Sequence, residues 1–289
     1  MKAAWQWVLA LGVAAASVGV APQDLRASPS MRALQGQVES SMRIKGSLDI
    51  GADGRVVAVR LDRESAIPAG VVTFVKDAVA RWEFEPTVRD GQSVAVTTPM
   101  TLRLIGKTLD DGSSRVEIRH ASFVEYDEND PTIVARERGS VPTFPVRRVG
   151  REAAADVFLL IQVGRDGKVR NVLAEQVNLR VLVSPREIAS TRAAFADSAT
   201  QAARDWQFRV PTQGPRAARD TWVVRVAVRF APPADRSTTR WEPYLPGPRN
   251  TASWLAPGTQ SVAPDAFDDG VYLAGEKTGP QLKTVLDQG

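Results

Sequence analysis

The chain has 289 residues, 43% of them apolar, and a formal net charge of +4. That length allows one or two domains of ordinary size, and the composition is too polar for a protein with several membrane spans. The absence of cysteine excludes disulfides, thiolate metal sites and cysteine nucleophiles, while the single histidine, His120, excludes sites built from several histidines.

The N-terminal segment predicts export. After Met1 and Lys2 comes a mostly apolar run whose dense part covers only residues 8–20. This suits a secretory signal peptide, predicted over residues 1–27, because a membrane-spanning helix needs about 20 apolar residues. An uncleaved anchor over residues 3–21 is just long enough to span and stays open as the alternative. A buried helix of the folded domain is the third interpretation.

The first predicted unit covers residues 40–106 and opens with a hairpin. Apolar residues alternate with polar ones over 45–50 and again over 55–61. Asp53 and Gly54 lie between these runs, and Asp-Gly provides the positive φ that a tight turn needs. We therefore predict two antiparallel strands joined at this dipeptide.

A helix and a third strand complete the first unit. Apolar residues from Val71 to Trp82 recur at spacings of three and four, so they share one face of a helix. Pro86 and a polar turn follow, and alternation over 94–104 predicts a half-buried antiparallel strand. Trp82 and Phe84 are expected to close the seam where the helix passes into the sheet.

A connector over residues 107–140 leads to a second unit over 141–231 with the same order of elements. Alternation over 156–163, followed by Asp166 and Gly167, predicts another hairpin. The next helix is predicted to begin at 184–187, where Ser and Glu have the spacing of a capping box and Pro suits the first helical position.

The last strand of the second unit alternates without a break. Its polar face carries Arg225 and Arg229 and is predicted to point to water or to a partner. Its apolar residues are assigned to a partner-binding edge strand: Trp222, Val224, Val226, Val228 and Phe230.

Residues 232–289 are predicted to form a disordered tail. Proline recurs throughout, glycine, serine and threonine fill the intervals, and there is no periodic apolar pattern from which a core could form. The alternative is an extended segment whose aromatic residues, Trp241, Tyr244 and Trp254, dock on the domains or on a partner.

One short motif occurs twice and relates the two units. Trp82-x-Phe84 precedes Pro86 in the first, and Trp206-x-Phe208 precedes Pro211 in the second. The chain therefore predicts an α+β fold with two tandem strand–strand–helix–strand units, in which one helix lies across each antiparallel sheet. The residues of this structural repeat motif are Asp53, Gly54, Trp82, Phe84, Pro86, Asp166, Gly167, Trp206, Phe208 and Pro211.

The ordered set of motifs resembles the C-terminal domain of TonB and its relatives. Pro142-Thr143-Phe144-Pro145 is similar to the family's opening Pro-x-Tyr/Phe-Pro, and Asp166-Gly167-Lys168-Val169 is similar to its Asp-Gly-x-Val hairpin. Trp206-Gln207-Phe208 before Pro211 resembles the family's Trp-x-Phe-x-Pro, with Val210 as an extra residue. The first unit carries the hairpin and the Trp motif without the opening.

The resemblance implies a periplasmic, non-enzymatic protein-binding module of the Gram-negative cell envelope. Members of this family bind TonB-dependent outer-membrane transporters by strand addition, and an unpaired edge strand is physically suited to this. Here the resemblance places that edge at 221–230 or at 94–104. The expected partner is therefore an envelope protein such as a transporter, without nucleic acid, and a membrane would be contacted only through the N-terminal segment if that segment is uncleaved.

An inner-membrane-anchored energy transducer is the alternative that the same resemblance offers. The family's transducers carry a key His in the anchor and a long spacer, whereas this apolar segment has no His. About 20 residues separate it from the first unit, and a fully extended chain of that length reaches about 70 Å. That is short for bridging two membranes.

No pattern predicts a catalytic, cofactor or metal site. His120 would need a nucleophile and an orienting group to act as a base, and the sequence orders neither around it. The acidic loop at 126–131 lacks the spacing of a calcium-binding loop. Basic residues are interspersed with acidic ones, which argues against nucleic-acid binding. A periplasmic enzyme of unknown type is the remaining alternative.

Overall fold

The computed structural model describes residues 33–34, 36–108, 114–231, 240–266, 270–276 and 279–286. The predicted signal peptide or anchor over 1–27 lies outside them. Within these residues the protein is α+β, with mostly antiparallel sheets and few helices, so the predicted fold class is confirmed. None of the helices described has the length and apolar character that crossing a bilayer requires.

Among the described residues, strands outnumber helices. The strands are β1 (Glu39–Ile50), β2 (Val56–Leu61), β3 (Thr87–Arg89), β4 (Gln92–Val94), β5 (Val96–Thr108), β6 (Ser114–Ser122), β7 (Ala135–Arg138), β8 (Ala155–Gly164), β9 (Val169–Leu179), β10 (Gln207–Arg209), β11 (Thr221–Phe230), β12 (Glu242–Tyr244) and β13 (Val271–Leu273). The helices are α1 (Ala69–Val79), α2 (Val146–Val149) and α3 (Ile188–Ala203), with 3-10 turns at Glu64–Ala66, Pro215–Ala218 and Pro264–Ala266.

The first sheet is centred on β1. Strands β2 and β12 pair with one side of β1, β5 pairs with the other side, and β6 pairs with the outer side of β5, all antiparallel. Alternating residues of β1 and β5, including Leu48 and Leu102, pack against Val75 of α1, and all three side chains are fully buried. The period-two pattern thus places one face of the sheet in a core under the helix.

The second sheet has the order β9, β8, β11, β13 and is also antiparallel. The core between this sheet and α3 contains Val157, Leu159 and Val224 from the strands and Phe195 from the helix. The other face of β8 is covered as well, because Phe158 and Leu160 are buried. Two smaller ribbons pair β3 with β4 and β7 with β10.

Each Asp-Gly hairpin meets the Trp-x-Phe segment of its own sheet. Gly54 and Gly167 have φ of 84° and 74°. The Gly54 carbonyl accepts a hydrogen bond from the Phe84 N–H at 2.8 Å, and the Gly167 carbonyl accepts one from the Phe208 N–H at 2.8 Å. A Cβ on either glycine would lie about 2 Å from the facing phenylalanine carbonyl, so only glycine fits at these two turns.

The predicted start of α3 is wrong by about one turn. Residues 185–187 form a turn, and the helix begins at Ile188 with no side-chain cap. The Ser184 hydroxyl bonds to the Glu187 carboxylate at 2.7 Å rather than to a backbone N–H of the helix. The sequence therefore has capping-box spacing without capping-box geometry.

The predicted disorder of the tail is wrong for its described residues. Strand β12 pairs with β1, and β13 pairs with β11. Tyr244 and Leu245 are buried, Leu245 bridges to Leu179 at the end of β9, and Leu282 bridges to Phe84. The tail therefore contacts both sheets, as the docking alternative predicted.

The tail is held by a few separate side-chain contacts rather than by a periodic apolar face. The Tyr244 hydroxyl donates to Glu39 of β1, and Lys107 pairs with the same carboxylate at 3.0 Å. Burial raises the pKa of Glu39, but these hydrogen bonds and the positive charges of Arg119 and Lys107 together hold the pKa below its usual value. Single anchors of this kind leave no repeat in the sequence, which explains why composition alone predicted disorder.

Candidate strand-addition edge

The apolar residues assigned to the partner-binding strand face the core of their own sheet. In β11, Trp222, Val224, Val226 and Phe230 are buried, and Val228 is half-buried and packs on the same cluster. A partner that added to this strand would therefore contact its backbone edge, while these side chains hold β11 against α3.

The backbone edge of β11 is occupied by the tail at its centre. On one side β11 pairs with β8 along its whole length, from Thr221 with Gly164 to Phe230 with Ala155. On the other side the tail strand β13 pairs with Val224, Arg225 and Val226. The prediction of an open edge is therefore wrong for these residues, because the C-terminal segment folds back and supplies the missing strand.

The hydrogen bonds show which residues of β11 direct their backbone N–H and C=O groups towards β13. The Ala274 N–H donates to the Val223 carbonyl at 2.9 Å. In an antiparallel ladder, successive residues direct their backbone groups to opposite neighbours. Val223, Arg225 and Ala227 thus direct their N–H and C=O groups towards the tail, whereas Val224 and Val226 direct theirs towards β8.

Strand β13 is held by few side chains. Val271 is buried next to the second core, and Leu273 packs on it from a half-buried position. The ring of Tyr272 lies 5.9 Å from the ring of Tyr126, centroid to centroid. The added strand therefore presents an aliphatic, an aromatic and an aliphatic residue in succession, with the aromatic one on the opposite face.

The second predicted edge, residues 94–104, is closed over only part of its length. Strand β5 pairs with β1 from Val96 to Gly106, and on its other side it pairs with β6 from Thr101 to Thr108. Residues 101–104 are therefore paired on both sides, whereas 96–100 pair with β1 alone among the described strands. The strand that closes this part of the edge, β6, comes from the connector and follows β5 directly along the chain.

The polar face of β11 is buried at Arg225 and exposed at Arg229, so the prediction that it points to water or to a partner is wrong at Arg225 only. Arg225 is only 2% exposed, and its Nε donates to Glu175 of β9 at 2.8 Å. Glu175 is fully buried and also accepts hydrogen bonds from two tail residues, Arg249 at 2.8 Å and Gln260 at 3.0 Å. The tail thus closes over this ion pair, and removal of one partner would leave a buried charge.

His120 lies in β6, on a groove between that strand and the tail. Burial, together with the positive charges of Arg103 and Arg225, lowers the pKa of His120 to about 4. The imidazole is therefore neutral at pH 7. Within the part of the chain that the structure describes, no group of three or more His, Asp or Glu residues could hold a metal ion.

Comparison with known proteins identifies no relative. No family model matches the chain, and neither a curated protein nor a solved structure matches it.

Proposed function

We propose that the protein is an exported, non-enzymatic, TonB-like binding module of the cell envelope that recognises an extended protein segment by strand addition to β11. The observation that carries this proposal is the β11–β13 pairing. A short segment of the chain itself, distant in sequence, forms an antiparallel strand on that edge, so the edge has the geometry to accept one.

The proposal includes two tandem units of one strand–strand–helix–strand design. The supporting geometry is the paired set of turns, in which Gly54 meets Phe84 and Gly167 meets Phe208 with the same hydrogen bond. The two units would extend over 40–106 and 141–231, joined by the 107–140 connector. In the TonB resemblance this repeated unit is the protein-binding part of the molecule.

The tail strand indicates what kind of segment the edge accepts. Val271 and Leu273 point into the apolar cluster, and Tyr272 lies on the other face beside Tyr126. A partner segment would therefore carry aliphatic residues two apart with an aromatic residue between them. It would also have to displace β13, so binding is a competition with the tail.

The envelope partner follows from the resemblance rather than from the edge geometry. A TonB-dependent outer-membrane transporter is the partner class that we propose, and the periplasm is the proposed compartment. Capture from envelope extract with the mature protein tests this, because recovery of such transporters would support it. Recovery of none, under conditions where the edge binds a peptide, would reject the transporter while leaving strand addition intact.

Strand addition itself is tested with a labelled peptide that has the sequence of residues 270–276. In the variant Tyr272→Pro the tail loses the N–H that faces β11, so the edge should open and fluorescence anisotropy should detect peptide binding. Adding Ala227→Pro should abolish that binding, because the proline removes an edge-directed N–H without breaking the β8 pairing.

The matched control is Ala227→Ser with Tyr272→Pro, which keeps the edge N–H and should bind the peptide. Equal peptide binding by the Ala227→Pro and Ala227→Ser forms would contradict strand addition at β11. No binding by the Tyr272→Pro form, when circular dichroism shows that it is folded, would do the same.

A further inference from the structure

Arginine side chains line a small cavity where the two sheets and the tail come together. The cavity has a volume of about 20 Å³. Its lining residues come from β1, β5, the end of β9, β11 and the start of the described tail, and they are Ser41, Met42, Arg43, Arg103, Arg180, Arg229, Arg240 and Glu242.

Two of these arginines are held by carboxylates, Asp156 and Glu242, of which Glu242 itself lines the cavity. Arg180 donates from Nε to Asp156 at 2.8 Å and also pairs with Glu242. Arg229 lies 3.3 Å from Asp156 through its Nε and 3.7 Å from Glu242 through Nη2. The guanidinium groups are therefore held in place before any ligand arrives, which reduces the entropy that binding would cost.

Arg103 is the most buried of the set and retains hydrogen-bonding capacity. Its Nη2 lies 3.0 Å from Asp265, and its guanidinium carbon lies 5.2 Å from the centre of the Tyr244 ring. The residue is 7% exposed, and its buried Nε has no hydrogen-bond partner among the residues that the structure describes. A buried N–H without an acceptor is costly, and an anion in the cavity is a means of satisfying it.

The charges of the cluster do not balance among the described residues. Apart from Arg43, four described guanidinium groups, those of Arg103, Arg180, Arg229 and Arg240, share three described carboxylates, those of Asp156, Glu242 and Asp265. The surplus of one positive charge lies on Arg240, which is exposed at the surface. Guanidinium groups match oxyanions because their planar donors bond two oxygens at once.

We propose that this cavity is a binding site for a phosphate group, which enters with one oxygen and meets Arg240 with the others. The volume of the cavity supports the entry of a single oxygen, because a cavity of about 20 Å³ holds one water-sized group and no more. The phosphate could be free in solution or carried on a lipid headgroup, since both present the same terminal oxygens. Bound phosphate would link the two sheets and the tail.

The test uses the full mature chain and inorganic phosphate, with sodium chloride at equal ionic strength as the reference. Isothermal titration should give saturable binding of phosphate, at least tenfold weaker in Arg240→Gln. The control Arg147→Gln removes an equally exposed arginine from α2 and should bind like the unmodified chain. Thermal unfolding should show a phosphate-dependent rise in Tm that Arg240→Gln loses.

Vesicles separate the two sources of the phosphate group. The site would be assigned to a lipid headgroup if the protein co-sediments with phosphatidylcholine vesicles that contain phosphatidic acid but not with vesicles of phosphatidylcholine alone. The Arg240→Gln variant should then lose this co-sedimentation. Binding of inorganic phosphate without co-sedimentation would assign it to the free ion. Binding of neither, or an equal loss in the Arg240→Gln and Arg147→Gln variants, would overturn the site.

Discussion

The two sheets complete their outer edges in different ways. In the first sheet, β6 pairs with β5 from Thr101 to Thr108 and follows it directly along the chain. In the second sheet, β13 pairs with only three residues of β11 and arrives from the C-terminal region. Because strand pairing is stabilised residue by residue, the short and distant strand is the one that a partner can replace.

This difference distinguishes the outer edges of the two sheets. The first sheet has its β5 edge closed over residues 101–108 by β6, the next strand along the chain, and also holds the tail through β12. In the second sheet, the β11 edge would open only when β13 detaches. The four predictions below test the two sheets against each other.

The largest effect is expected from truncating the two tryptophans that close the helix–sheet seams. Trp82→Ala and Trp206→Ala should each lower the free energy of unfolding by about 3–5 kcal/mol, because both side chains are buried. Trp206→Ala should cost more, since the Trp206 indole also donates to the Ser140 carbonyl at 2.9 Å and stacks with Arg136.

Urea unfolding measures both losses, and Trp254→Ala in the tail is the control, because Trp254 is only half-buried. A cost below about 1 kcal/mol for either core tryptophan would mean that its seam does not hold the sheet.

The hairpin glycines test whether the two units are equivalent. Gly54→Ala and Gly167→Ala should each cost about 2–4 kcal/mol, because both combine positive φ with a facing carbonyl about 2 Å from the new Cβ. Gly91→Ala is the matched control: its φ is 78° but nothing lies within 4 Å, so about 1 kcal/mol is expected. Unequal costs at Gly54 and Gly167, measured by urea unfolding, would argue against a repeated unit.

The pH dependence of the free energy of unfolding should come from the first sheet alone, because the only histidine of the sequence, His120, lies in β6. Its pKa is lowered to about 4 in the folded chain and returns to its usual 6.5 on unfolding, so the unfolded state binds the proton more tightly. The stability is therefore complete above pH 6.5 and is lost as the pH falls towards 4.

At pH 5 the loss should be about 2 kcal/mol relative to neutral pH. Unfolding measured at pH 7.5 and 5 should show this loss in the unmodified chain and a smaller one in His120→Gln. Parallel losses in both proteins would place the pH sensitivity elsewhere.

The smallest effect is expected at β13. Tyr272→Pro should lower the free energy of global unfolding by less than about 1 kcal/mol, because β13 can detach while both cores persist. The comparison variant Ala121→Pro in β6 should cost several times more, since β6 is part of the first sheet along its whole length. Equal costs in urea unfolding would remove the distinction between the two edges.

Local patterns in the sequence predicted much of this architecture. The Asp-Gly turns and the alternation of Val157 to Val163 depend on neighbours along the chain, and each has its element in the structure. The spacing from Val71 to Trp82 also predicted a helix, but that helix ends at Val79, three residues before Trp82. The edge state of a strand depends on segments outside it, so nothing within 94–104 or 221–230 could reveal that β6 and β13 pair there. The burial of Arg225 was missed for the same reason, because its cover includes Arg249 and Gln260 of the tail.

Residue-resolved amide hydrogen exchange of the full chain tests the central claim, that β13 occupies the β11 edge as a replaceable strand. The amides of Tyr272 and Ala274 should exchange by local opening, at least a hundredfold faster than the amides of β6. Their exchange rates should be the same with low concentrations of denaturant as without it. Exchange of the Tyr272 and Ala274 amides at the same rate as β6, through global unfolding, would contradict the claim.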